Sequence, residues 1–261
     1  MPTLPKFLRR PTPTERSGTM TVVEHLEELR HRIVVCVIAV LAGGVLGWFL
    51  YQPFMDVVNK PFCTYVKGLP VEARPPAGCR LVFSGPLDAM LIKLKVVLFL
   101  GLFLALPVLL YQLWAFIVPG LTAREKKLSV PFVISSMLLF LLGGVFALFT
   151  LPKGLGFLLG FAGTENVTPL ISFPSYVGFV VLVTLAFGVA FEFPVLLVFL
   201  TMVGVLSSAK LRASRRWAIL GIAVFSAVIT PSSDPYSMLA MMIPMVFFYE
   251  ASIIIARLMK K

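Results

Sequence analysis

The chain has 261 residues, of which 59% are apolar or aromatic and only 13% are charged. A soluble domain carries about 25% charged residues, so too little polar surface is present to cover a globule, and disorder requires far lower hydrophobicity. The composition reads as an integral membrane protein.

Net charge is +11. In a soluble chain this would suggest nucleic acid. In a membrane protein, basic residues collect on the cytoplasmic side of the spans, and no nucleic-acid partner is expected. The two histidines, His25 and His31, both lie near the N-terminus, which leaves no His-based catalysis or His metal site inside the membrane. The three cysteines, Cys36, Cys63 and Cys79, form no CxxC pair, so no metal or cofactor is expected.

Residues 1–20 place Pro2, Pro5, Pro11 and Pro13 among Thr, Arg and Ser. They are expected to form a disordered tail and not a signal peptide, because no apolar core directly follows the basic residues; Met20 is an alternative start. Six segments then approach the roughly 20 apolar residues that a spanning helix needs. They run from Ile33 to Leu50, Leu87 to Leu110, Leu128 to Leu151, Ser175 to Leu206, Trp217 to Thr230 and Tyr236 to Leu258. The fifth is short. The fourth is long, and Pro194 predicts a kink within it. The expected organisation is one six-span membrane domain over residues 21–258 with a basic tail at 259–261. No internal repeat and no inverted pair of broken helices is visible, as many secondary transporters would show.

The Lys and Arg residues set the orientation. The N-terminal segment, the connections after the second and fourth spans, and the C-terminus hold 16 of them, against five in the alternate loops. The positive-inside rule puts both termini in the cytoplasm. Cys63 and Cys79 then share the first outer connection, Tyr51 to Pro86, on the side where disulfides persist. A bridge would close a loop of about 17 residues and add about 3 kcal/mol; two independent buried thiols are the alternative. Cys36 reads as core filler. The second outer connection, Pro152 to Pro174, is rich in Gly, Pro and Thr.

Carboxylates are scarce, with 12 in the chain, and four of them fall between Glu15 and Glu28. In Glu24–Arg32, Leu26, Leu29 and Ile33 share one helical face while Glu24, Glu27 and Glu28 share another. The ordinary account is local: Thr21 and Glu24 fit a capping box, and Glu28 can pair with Arg32 at i, i+4. The functional account is an acidic island on a basic face. In Tyr111–Glu125, Tyr111 and Trp114 suit the membrane interface, Pro119-Gly120 reads as a turn, and Thr122 to Glu125 fits a second capping box. A sharper account makes Glu28 and Glu125 two receptors for guanidinium groups, which carboxylates bind bidentately.

Glu192 lies near the middle of the fourth span, where a charge costs about 2.5–3.5 kcal/mol on insertion scales. An ionisable group at that depth is a functional hypothesis by default; a protonated Glu bonded to carbonyls freed by Pro194 is the alternative. Asp234 before Pro235 reads as a helix cap, and Glu250 is expected to reach the cytoplasmic interface. Ser232 and Ser233 have no catalytic partner at membrane depth and no GxSxG elbow, so no enzyme is read here. A proton-coupled secondary transporter using Glu192 and a structural scaffold stand as the rival classes.

Several segments together carry a resemblance: His25-Leu-Glu-Glu-Leu-Arg30, Pro107 through Pro119, Ala186 through Pro194, Thr230-Pro231 and Ile243-Pro-Met245. Over residues 20–258 the chain resembles the TatC family, the receptor and core subunit of the twin-arginine protein translocase. The resemblance implies an all-α membrane protein of six spans, a glove-like concave shape and both termini in the cytoplasm. It implies binding of twin-arginine signal peptides of folded cargo at the cytoplasmic face of the plasma membrane. Export would then proceed with TatA- and TatB-like single-span partners in an oligomer driven by proton motive force.

Glu28 and Glu125 match the carboxylates that receive the arginine pair, with Leu29 and Arg30 in the same motif and Phe116 on the same surface. Glu192 matches a buried acid, Gln112 a polar residue of the concave side, and Pro61 a proline of the first outer loop. Thr230 matches a partner-contact position. Two departures bear on partner docking. The fifth connection reads Thr-Pro-Ser-Ser-Asp, one residue longer than the family's pattern, and Met238 stands where the family often has Gln.

Overall fold

The computed structural model describes residues 22–68, 70, 74, 78–83, 85–117, 129–160, 171–230 and 234–259. The N-terminal tail, the turn at Pro119-Gly120, Glu125, the tip of the second outer connection and Ser232-Ser233 lie outside them. The described residues are helical, with one isolated parallel bridge, Val82 to Ser172, and no strand. The helices are α1 (Val22–Phe49), α2 (Tyr51–Gly68), α3 (Asp88–Ile117), α4 (Ser129–Gly160), α5 (Phe173–Phe191), α6 (Phe193–Met202), α7 (Ser208–Ala213), α8 (Arg215–Ile229) and α9 (Pro235–Leu258).

Among the described residues, five stretches are long and apolar enough to cross a membrane: His25–Phe49, Asp88–Phe116, Val130–Gly160, Phe173–Met202 and Pro235–Leu258. The fifth apolar segment of the sequence forms α8. Its 15 residues extend about 22 Å at 1.5 Å per residue, short of a hydrocarbon core about 30 Å thick.

Two connections are more ordered than the sequence suggested. The first, read as a loop from Tyr51, begins with the 18-residue α2. Met55, Val58, Phe62 and Val66 are buried along one face, while Gln52, Asp56, Lys60 and Lys67 are exposed. The spacing is that of an amphipathic helix, diluted by Pro53 and Pro61. The third span runs through Pro152 to Gly160, because proline is tolerated in spanning helices when neighbours satisfy the freed backbone groups.

The chain forms two compact units. In the first, residues 1–49 and 97–133, α1 crosses α3 through glycine. A Cβ on Gly43 would stand 2.6 Å from the Gly101 carbonyl oxygen, and one on Gly101 would stand 2.6 Å from the Val40 carbonyl oxygen and 2.8 Å from the Gly44 nitrogen. Small residues are what allow two backbones to approach this closely in a membrane. Trp114 packs on Phe132 with ring centroids 4.9 Å apart.

In the second unit, residues 50–96 and 134–261, α5 is buried nearly all round, as an apolar helix without a polar face requires. Its Val183, Phe187 and Phe191 share one core with Ala147 of α4 and Met241, Met245, Tyr249 and Ile253 of α9. Gly143 and Gly188 make the α4–α5 crossing close; a Cβ on Gly143 would lie 2.5 Å from the Phe187 carbonyl oxygen.

Cys63, inside α2, is disulfide-bonded to Cys79, 16 residues on. Cys63→Ser should lower stability by about 3 kcal/mol through the entropy of the opened loop, read as a fall in the melting temperature in detergent. Pro61 has no N–H to give the helix ladder, and Tyr176 docks beside the gap. Its hydroxyl donates to the Val58 carbonyl oxygen at 2.7 Å, and its oxygen accepts from the Phe62 amide. Tyr176→Phe should cost about 1–3 kcal/mol, the penalty of unpaired buried polar groups, with the same readout.

Candidate functional site

The site is built where one face of α1 meets the last turns of α3. On α1, His25, Glu28 and Arg32 lie at successive spacings of three and four; on α3, Ala115 and Phe116 lie three and four residues after Gln112. Both triplets therefore present one side of a helix. Arg32 joins them. Its Nε donates to Glu28 Oε1 at 3.2 Å, and Nη2 donates to the same oxygen. Nη1 donates to Gln112 Oε1 at 3.0 Å, and Nη2 also reaches the Ala115 carbonyl oxygen at 2.9 Å.

The Ala115 carbonyl lacks the usual helical donor four residues on, because position 119 is proline and has no N–H. A cation there satisfies the acceptor and faces the negative end of the helix dipole. Beside this network the His25 ring stacks on Phe116, with centroids 4.5 Å apart and planes 22° apart.

The Glu28 and Arg32 side chains are each 18% exposed, so the pair is shielded more than a surface ion pair. Glu28 Oε2 is buried and, among the described residues, accepts no hydrogen bond. An unsatisfied buried acceptor costs about 1–3 kcal/mol, more when charged. Glu28 is thus held through one oxygen and left under-satisfied at the other.

The residues singled out in the sequence separate into groups. Glu28, Gln112 and Phe116 come together on facing helix turns. Leu29 and Arg30 are exposed on α1. Glu125 lies outside the described residues. The local pairing of Glu28 with Arg32 anticipated from their i, i+4 spacing is present; the reach of Arg32 to α3 was not anticipated, since nothing in the sequence links positions 80 residues apart.

Glu192 is the single turn residue between α5 and α6, with φ −73° and ψ −16°. That conformation is helical, so the interruption two residues before Pro194 is a kink and not an unwound segment. The Ser136 hydroxyl bonds the Glu192 carboxylate, while Glu192 Oε1 is buried without a hydrogen-bond partner. The Glu192 N–H donates to the Val189 carbonyl oxygen at 3.1 Å.

Thr230 is 1% exposed, and its hydroxyl donates to the Ser226 carbonyl oxygen at 2.8 Å. Its side chain therefore closes α8. Pro61 is buried in α2, and Met238 is half-buried in α9. Asp234 caps α9, its Oδ1 accepting from the Ser237 amide at 2.7 Å. Glu250 pairs with Arg215 at 2.6 Å, an exposed pair worth at most about 1 kcal/mol.

A profile of the family described as "Sec-independent protein translocase protein (TatC)" matches residues 24–244. A relative from Frankia casuarinae described as "Sec-independent protein translocase protein TatC" is 42% identical over 253 residues, covering 94% of this chain and 68% of its own length. One of the same description from Aquifex aeolicus is 36% identical over 242 residues, covering 92% of this chain and 95% of its own. A solved structure titled "Crystal Structure of Twin Arginine Translocase Receptor- TatC" superposes with a TM-score of 0.73 at 34% identity, covering 91% of this chain and all of the other.

Proposed function

This chain belongs to the TatC family of Sec-independent protein translocase subunits, and from that premise we propose that it is the receptor for twin-arginine signal peptides of folded cargo. Multi-pass membrane residence follows from the family and from the apolar helices. The receptor reading is supported by one observation above others: a largely shielded carboxylate, Glu28, held ready at the edge of α1 with an unused oxygen.

The arginine pair docks against Glu28 and Glu125, with Phe116, Leu29 and Arg30 completing the surface. An isolated exposed arginine–carboxylate pair is worth only about 0–1 kcal/mol. The pairs therefore supply selectivity, and the apolar stretch of the signal peptide supplies much of the affinity. The site faces the cytoplasm, with both termini on that side and six crossings in all. TatA- and TatB-like single-span partners dock near Thr230, Met238 and Pro61, in an oligomer that uses proton motive force. Membership of a protein translocase family, and a Glu192 kink that leaves the backbone helical, disfavour a solute carrier.

Export of a folded reporter into inverted membrane vesicles tests the reading. Vesicles holding the full chain and its partners should export a reporter whose signal carries Arg-Arg and reject one carrying Lys-Lys. Glu28→Ala and Glu125→Ala should each stop export. Export of both reporters at equal rates would contradict the proposal.

A further inference from the structure

We propose that Arg32 is a resident guanidinium that positions the Glu28 carboxylate, so that its free oxygen receives an arginine from the signal peptide. The inference rests on the receptor reading and assigns that site a specificity-determining residue which contacts Glu28 and not the peptide. Arg32 directs two donors at the single oxygen Oε1 of Glu28 and commits the rest of its fork to Gln112 Oε1 and the Ala115 carbonyl oxygen. The Ala115 oxygen is a backbone atom of α3 and anchors the guanidinium, so the carboxylate cannot rotate without breaking its bonds to Arg32.

The arrangement leaves Oε2 of Glu28 buried and unpaired among the described residues. A planar guanidinium entering beside Arg32 would complete the carboxylate from its second side, because a carboxylate has lone pairs for two such forks. An ammonium offers one compact point of contact and suits this geometry less. The same argument applies to Arg32 itself. Lysine at position 32 gathers its three donors on one nitrogen and lacks the planar fork whose Nε, Nη1 and Nη2 reach Glu28, Gln112 and Ala115 from separate points. Arg32 therefore transmits the fixed end of α3 to the orientation of Glu28.

The test is equilibrium binding of fluorescent signal peptides, one with Arg-Arg and one with Lys-Lys, to the purified full chain in detergent. Wild-type protein should prefer Arg-Arg. Arg32→Gln and Arg32→Lys should each reduce the preference by about tenfold, since neither restores the fork. In a Glu28→Gln background, Arg32→Gln should change the preference no further, because a positioning residue acts only through the group it positions. Gln112→Leu removes one anchor and leaves the Glu28–Arg32 pair. It should reduce the preference by a smaller factor, and it serves if Arg32 variants do not fold.

An unchanged preference in the Arg32 and Gln112 variants, with wild type discriminating and Glu28→Gln not, would overturn the proposal and leave the receptor reading standing. Tighter Arg-Arg binding by Arg32→Gln would also overturn it, since Arg32 would then be a competitor for Glu28. Effects of Glu28 and Arg32 that simply add would do the same. Equal binding of both peptides by wild-type protein would overturn the receptor reading and this proposal with it.

Discussion

Gly101→Leu is expected to break the first unit of the fold. The leucine Cβ alone would stand 2.6 Å from the Val40 carbonyl oxygen and 2.8 Å from the Gly44 nitrogen. Both obstacles are backbone, so no rotamer change relieves them, and α1 must move off α3. Overpacking costs about 1–3 kcal/mol where side chains can adjust, and occasionally more; this substitution belongs at or above the upper end. The measurement is thermal unfolding of the purified chain in detergent. Gly221→Leu is the control, since nothing lies within 4 Å of a Cβ there, and it should unfold close to wild type. Because α1 carries Glu28 and α3 carries Gln112 and Phe116, Gly101→Leu should also abolish signal-peptide binding while Gly221→Leu preserves it.

Glu28→Gln is expected to weaken binding of an Arg-Arg signal peptide by about tenfold to a hundredfold, the value of a charge-assisted hydrogen bond of about 1.5–3 kcal/mol. Glutamine keeps the length of the side chain and an oxygen that can accept from Arg32, so the fold should be retained. What is lost is the charge that favours a second guanidinium. Binding of the Lys-Lys peptide should change much less. Titration calorimetry or fluorescence anisotropy on the solubilised chain reads both. Equal weakening of the two peptides would mean that the substitution disturbed packing and not recognition.

Much of the fold was legible because it depends on composition over long windows. Long apolar segments become α1, α3, α4, α5–α6 and α9 without help from distant residues. Pro194 and Asp234 were legible for the opposite reason, that a kink and a cap are decided within a few residues. What escaped lay between those scales. The amphipathic run Met55, Val58, Phe62, Val66 was present in the sequence, but two prolines and its low apolar content disguised α2 as loop. Pro152 suggested an end to α4 that membrane packing does not impose.

In the site, the Glu28–Arg32 spacing was readable and its meaning was not. Arg32 takes its role from Gln112, 80 residues away, just as Tyr176 takes its role from Val58 at 118 residues and Glu250 from Arg215 at 35. No local pattern encodes such pairs; only the close α1–α3 crossing at Gly43 and Gly101 brings the first of them together.

The most direct test of the receptor account is site-specific photocrosslinking in membranes, with a photoreactive residue at Phe116 and another beside Glu125. The probe is a precursor carrying Arg-Arg, compared with the same precursor carrying Lys-Lys. The account predicts a crosslink with Arg-Arg that is lost with Lys-Lys and lost again on Glu125→Ala. Equal crosslinking of both precursors would contradict it, and would reduce the Glu28 network to a structural brace between two helices.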